Sequence, residues 1–161
     1  MVRLITARAT PLVPDRSPLL RGAAVPHDYA YFAHDADIGV AGRGPTLEAA
    51  FAAAAHAMFS IQTDPGAVRP RERIEFEFAE SDIELALMIW LNRLLGETRV
   101  RGLALADFGI ARAGDSWSGW ALGEPWRAEH SRGTEVKGAT LTMLSVRCTG
   151  GTWEARCVVD V

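Results

Sequence analysis

Carboxylates at positions where the surrounding pattern calls for burial are the residues of this chain best suited to chemistry. In the string HDADIGV, Asp35 and Asp37 close an otherwise apolar alternation, where an unpaired carboxylate is costly. They need partners: an arginine, the N–H groups of the following loop, or a hard cation. Asp160 stands at the end of a second apolar run, Cys157, Val158 and Val159, followed only by Val161 and its carboxylate. If the strands that carry them are neighbours, Asp37, Asp160 and Val161 form an oxygen-only cluster suited to Ca²⁺, Mg²⁺ or Mn²⁺ and ill-suited to zinc. If not, Asp160 belongs to an ordinary frayed end. Asp35 is a further candidate ligand at the same strand end.

Two other residues draw notice by type. Of the 17 Lys and Arg residues only Lys137 is lysine, a compact point charge able to lose its proton when desolvated. It is a candidate phosphate or partner contact, with chance retention on a surface strand as the alternative. His130, in the stretch 126–135, is a second candidate for phosphate, partner or metal. The glycines of GVAGRG, residues 39–44, invite a phosphate-cradle reading, but the run has neither the GxGxxG order nor the GK[ST] ending of a P-loop. A tight strand-to-helix connection accounts for it. No Cys/His spacing suggests zinc.

The elements that must position these residues follow from periodicity. Residues 29–40 alternate as one strand with Asp35 and Asp37 on a shared face. Pro45 and Thr46 open a helix in which Leu47, Ala50, Phe51, Ala54 and Met58 form one stripe. Residues 71–80 (RERIEFEFAE) alternate as a half-buried strand. Ser81 and Glu84 read as a capping box for a second helix, striped by Ile83, Leu87, Trp90, Leu91 and Leu94, with Gly96 placed to end it. A hairpin about Gly114-Asp115 and two last strands, 136–148 and 153–159, complete the order. Strand, helix, strand, helix and then several strands favour a single α+β domain, a largely antiparallel sheet with two main helices packed on it.

Bulk properties bound the function. At 161 residues and 48% hydrophobic the chain can bury one core, and its apolar runs are too short for a membrane span. Residues 1–27, rich in Pro and Arg, lack the apolar core of a secretory signal and read as a loose tail before a domain at 28–161. The two cysteines, Cys148 and Cys157, straddle a predicted Gly150-Gly151 turn and would lie on the order of 13 Å apart along the ladder, too far for a disulfide. Nothing in this asks for an oxidising compartment, so a cytoplasmic protein is expected. A formal charge of -3 gives no global attraction to nucleic acid, so any RNA contact is local or made through a partner.

HDADIGV, TLEAAF, LNRLLGE, the Gly123-Glu124 pair, the later His130, EVKGAT and the final VVDV, in this order and spacing from about residue 28 to Val161, resemble the archease family. The resemblance implies an α+β accessory protein for the GTP- and manganese-dependent RNA ligase of tRNA splicing and RNA repair, promoting its guanylylation and multiple turnover. It also implies a divalent cation, calcium foremost, held by Asp37, Asp160 and Val161, with Lys137 at the family's important lysine position. The chain departs from the family pattern in having Asp35 where a threonine is commoner, and Leu141-Thr142 where an aromatic-histidine pair is commoner. Two other classes compete: a stand-alone metal-dependent hydrolase or nucleotidyl enzyme using the same carboxylates, and an RNA-binding or RNA-modification specificity module drawing on Arg69, Arg71 and Arg73 or Arg99 and Arg101.

Overall fold

The computed structural model describes Thr10, Pro11 and residues 28–161. Apart from those first two residues, the expected N-terminal tail lies outside the described residues. The elements run β1 (Thr10–Pro11), β2 (Asp28–His34), β3 (Asp37–Gly44), α1 (Leu47–Gln62), a 3-10 turn (Pro65–Ala67), β4 (Glu72–Ala79), α2 (Ile83–Arg101), β5 (Leu103–Ala113), β6 (Ser116–Pro125), β7 (Gly138–Ala139), β8 (Ser145–Thr149) and β9 (Thr152–Asp160). Every strand pairing among the described residues is antiparallel. The α+β class is as expected, with the strands divided between two sheets: β1-β4-β6-β5, and β2-β3-β9-β7 with β8 also on β9.

Both sheets and both helices share one core. Ile74, Phe76 and Phe78 of β4 turn inward with Trp117 of β6, meeting Phe51 and Met58 of α1 and Trp90, Leu91 and Leu94 of α2. The Trp117 ring stacks between Phe51, 5.3 Å away, and Phe78, 5.9 Å away, a geometry that adds roughly 1 kcal/mol per pair beyond area burial. From the second sheet Val40, Ala155, Cys157 and Val159 close the core. Among the described residues no helix is long and apolar enough to cross a membrane.

Several local expectations are corrected. Residues 29–40 are not one strand but the β2–β3 hairpin, in which His34 faces Asp37. Asp35 takes a left-handed φ of 50°, a conformation Asp tolerates because its short polar side chain bonds locally. It therefore sits in the turn and does not share a strand face with Asp37. Residues 39–44 form no loop or phosphate cradle, since they are β3 itself. The glycines are there for close approach: a Cβ on Gly42 would stand 2.2 Å from Ala54 N and 2.4 Å from Ala50 O of α1, and one on Gly39 would run into the Phe32 ring.

The second helix is capped by Asp82, whose Oδ1 accepts from the N–H groups of Glu84 and Leu85, and not by Ser81. Glu84 instead accepts from Val146 N–H at 3.3 Å. Gly96 stays inside the helix, which runs on to Gly102 with φ 65°, because Arg99 and Arg101 suit its last turn and only the later glycine offers the left-handed cap. The expected strand 136–148 is interrupted between β7 and β8. There Thr140 Oγ1 donates to Val158 O and accepts from Thr142 N–H, and Met143 adopts φ 52°. The Gly150-Gly151 hairpin has the expected register, with Cys148 opposite Trp153. Both cysteines are free, and burial pushes the Cys157 thiol up to about 12.

Two alanine substitutions separate the roles of glycine here. Gly42→Ala is expected to lower unfolding free energy by roughly 3 kcal/mol through overpacking against α1. Gly96→Ala, whose new methyl meets nothing within 4 Å, should raise it by roughly 0.5–1 kcal/mol through helix propensity. Urea denaturation of both variants checks the pair.

Candidate functional site

Antiparallel pairing of β3 with β9 sets Ile38 opposite Val159, so the start of one strand meets the end of the other. Val161 N–H approaches Asp37 Oδ1 at 3.5 Å, at the outer limit of a hydrogen bond. On the far side of β9, Gly138 of β7 pairs with Asp160, and Lys137 N–H donates to Asp160 O at 2.8 Å. The Lys137 ammonium turns back to donate to the Val161 main-chain oxygen at 3.1 Å. Asp37 is half-buried, whereas Asp160 and Lys137 are exposed. The structure thus brings Asp37, Asp160 and Val161, which the sequence grouped on condition that their strands are neighbours, to one corner, together with Lys137, which the sequence singled out by residue type alone. Asp35 lies exposed at the adjoining hairpin tip.

The strand that presents Lys137 is only two residues long and is held by side chains of α2. Asn92 mimics a neighbouring strand, accepting from Ala139 N–H at 2.9 Å and donating to Ala139 O at 3.0 Å. Seven residues on, and so on the same helix face, Arg99 donates through one nitrogen to both Val136 O and Lys137 O at 2.8 Å. Asn92 and Arg99 are positioning residues that the sequence reading missed. The signal was present: an asparagine beside the apolar stripe at Leu91 and Leu94 has to satisfy its amide somewhere.

His130 belongs elsewhere. It is only 4% exposed and Glu124 only 1%, and their contact at 3.0 Å joins His130 Nε2 to Glu124 Oε1. Because His130 Nδ1 accepts from Arg127 N–H at 3.1 Å, Nε2 carries the proton and donates to the carboxylate. Glu124 Oε1 also accepts from Arg69 N–H and from the Arg127 guanidinium, both at 2.9 Å. Burial would raise the Glu124 pKa, but these hydrogen bonds and the Arg127 charge outweigh it and hold the carboxyl down at about 2. A buried imidazole so engaged cannot be the phosphate or partner contact suggested by its place in a loop. It fixes the course of 126–135, the approach to Lys137.

The arginines considered for RNA are largely occupied. Arg73 pairs with Glu75 and lies over the Trp120 ring, Arg71 Nε is 3.9 Å from Glu124, Arg101 bonds Glu97, and Arg99 holds carbonyls as above. Among the described residues no three His, Cys, Asp or Glu side chains are grouped so as to hold a metal ion. The oxygens that stand at the corner are the Asp37 and Asp160 carboxylates and the Val161 main-chain oxygen. The donor set, carboxylate and main-chain oxygen with one ammonium in attendance, has the hardness that Ca²⁺, Mg²⁺ and Mn²⁺ prefer.

Fold and corner together define an α+β protein of two antiparallel sheets and two helices, whose last strand locks against its first hairpin. The model of the archease protein family matches residues 29–161, and the chain belongs to that family. It is 33% identical over 136 residues to protein archease of Sulfolobus acidocaldarius, covering 83% of this chain and 98% of that one. It is 35% identical over 140 residues to protein archease of Thermococcus gammatolerans, with the same coverage. The solution structure of protein 1598 of Methanobacterium thermoautotrophicum superposes with a TM-score of 0.71 at 30% identity, covering 83% of this chain and 98% of that chain. An archease from Thermotoga maritima, named there a possible chaperone, shares the fold with a TM-score of 0.58 at 21% identity, over 81% of this chain and 94% of its own.

The Glu124 cluster predicts a pH signature. A carboxyl held at about 2 when folded, against 4.5 as its ordinary value, contributes stability that is complete above 4.5 and lost as pH falls from there toward 2. Denaturation midpoints measured across that window should fall more steeply for the natural chain than for Glu124→Gln, which should already be less stable at neutral pH. Parallel pH profiles for the two would remove the account.

Proposed function

We propose that this protein is a non-catalytic accessory factor that activates a GTP- and manganese-dependent RNA ligase of tRNA splicing and RNA repair in the cytoplasm, promoting its guanylylation and multiple turnover. Membership of the archease family supports the reading, and the observation that carries it is the convergence of Asp37, Lys137, Asp160 and Val161 at one accessible corner. A divalent cation, Ca²⁺ foremost with Mg²⁺ or Mn²⁺ as alternatives, would be held by the Asp37 and Asp160 carboxylates and the Val161 terminus. When bound it would supply charge neutralisation for a triphosphate, which guanylyl transfer needs more than it needs another nucleophile.

The chain's own residues do the positioning. The Asp37 carboxylate faces the Val161 N–H at 3.5 Å, and Asn92 and Arg99 fix the segment that carries Lys137. Three carboxylates against one ammonium leave the corner net negative, so it draws cations and presents the single amine as the group nearest an incoming phosphate. RNA and GTP are met through the ligase; strong independent binding of nucleic acid is not expected of a chain with this charge.

Multiple-turnover RNA ligation by the cognate GTP-dependent ligase, with and without this protein, tests the proposal. Stimulation is expected, and each of Asp37→Ala, Asp160→Ala and Lys137→Ala should cut it by about tenfold or more while leaving thermal unfolding cooperative. Ligase turnover that the protein leaves unchanged, with GTP and metal limiting, would sink the proposal.

A further inference from the structure

Away from the corner, a cleft of about 440 Å³ opens between the last turns of α1 and α2, the start of β5 and the stretch 126–135. Its size is that of a small-molecule site. Phe59, Leu103 and Leu105 contribute an apolar floor, and Trp126 lines it together with Arg99 and Arg132. The Arg132 guanidinium lies over the Trp126 indole at 4.2 Å, forming a flat, cationic stacking surface.

The walls are built, not incidental. Gly133 N–H and Thr134 N–H donate to Gln62 O and Ile61 O, Thr63 Oγ1 donates to Ser131 O at 2.8 Å, and Trp126 N–H donates to Gly102 O. These bonds use carbonyls at the α1 terminus that would otherwise repel an anion, and Arg99 and Arg101 offset the last turn of α2. Two guanidiniums remain against the single carboxylate of Glu135. An apolar floor, a planar cationic stack and two positive charges suit a planar ring joined to a dianion. They suit a bare anion poorly, because it would leave the half-buried Trp126 and its stack with Arg132 uncovered, and an apolar ligand poorly, because it would bury the guanidiniums.

We propose that this cleft binds a nucleoside monophosphate, its base stacked on the Arg132–Trp126 pair and its phosphate met by Arg132 and Arg99, and that Arg99 links the cleft to Lys137. The link is geometric. The residue whose guanidinium holds Val136 O and Lys137 O at 2.8 Å, Arg99, is also one of those that line the cleft. A phosphate that draws Arg99 inward weakens its grip on the Lys137 segment, and with it the ammonium at Val161. The linkage clause rests on the corner having the role proposed above; binding in the cleft does not.

The test is an NMR titration of the full ¹⁵N-labelled chain without metal or ligase, so its outcome is separate from the ligation assay. The Trp126 indole N–H is assigned by its loss in Trp126→Phe, and the probes are AMP, GMP, adenosine and inorganic phosphate. A saturable shift of that resonance with AMP or GMP is expected, with adenosine and phosphate each at least about tenfold weaker and Arg132→Ala weakening AMP by about tenfold. No saturable shift, or one that Arg132→Ala leaves unchanged, overturns the site. Phosphate matching AMP overturns the nucleoside. Saturating AMP should also move the Lys137 and Val161 amides in the natural chain but not in Arg99→Gln; movement that survives in Arg99→Gln overturns the link.

Discussion

The pairing of β3 with β9 is the constraint on which the rest of the molecule depends. It joins positions 124 residues apart, as the approach of Val161 to Asp37 shows. The entropy of closing so long a loop grows only slowly with its length, and burial of Val40, Cys157 and Val159 without exposed surface offsets it. The pairing is possible only because α1 can lie against β3, and α1 can do so only because Gly42 and Gly44 present no side chain to Ala49, Ala50, Ala53 and Ala54. The glycines that resemble a phosphate loop are thus a packing device, and the corner of carboxylates is a consequence of core packing.

What could be read from the sequence follows a physical division. Helix α1, strand β4 and the hairpins about Gly114-Asp115 and Gly150-Gly151 were legible because one face of each is apolar at the period of its own geometry. The β2–β3 hairpin was not, because its turn residues, Asp35 and Ala36, keep the alternation going through the reversal. The end of α2 was misplaced because a glycine inside a helix costs only about 1 kcal/mol, which the burial of Leu94 and Leu95 just before it can outweigh. Of the candidate site, Asp37, Lys137 and Asp160 were legible from residue type, and Val161 from its place next to Asp160. Asn92, Arg99 and Glu124 were not, since their role is to hold backbone groups distant in sequence.

Those three residues answer one need. Between β6 and β8 most of the chain has no strand partner, yet buried N–H and C=O groups must still be bonded. Glu124, with His130 and Arg127, ties down the first part, while Asn92 and Arg99 take the ladder bonds of the second. Side chains therefore replace a missing strand along the segment leading to Lys137. The arrangement leaves that segment held at a few named points, where a regular strand would spread its bonds over every residue.

This also bears on why the lone lysine stands where it does in a chain otherwise built with arginine. At the Val161 oxygen an arginine could engage a carboxylate through two parallel bonds and hold it in a fixed fork. An ammonium on a flexible stem makes one bond at a time and is readily exchanged. Here the Lys137 ammonium makes a single bond to the Val161 oxygen, at 3.1 Å, and so caps the corner without clamping it. Arg99 plays the opposite part: one terminal nitrogen of its guanidinium holds two successive carbonyls, Val136 O and Lys137 O, and so fixes the backbone beneath that lysine.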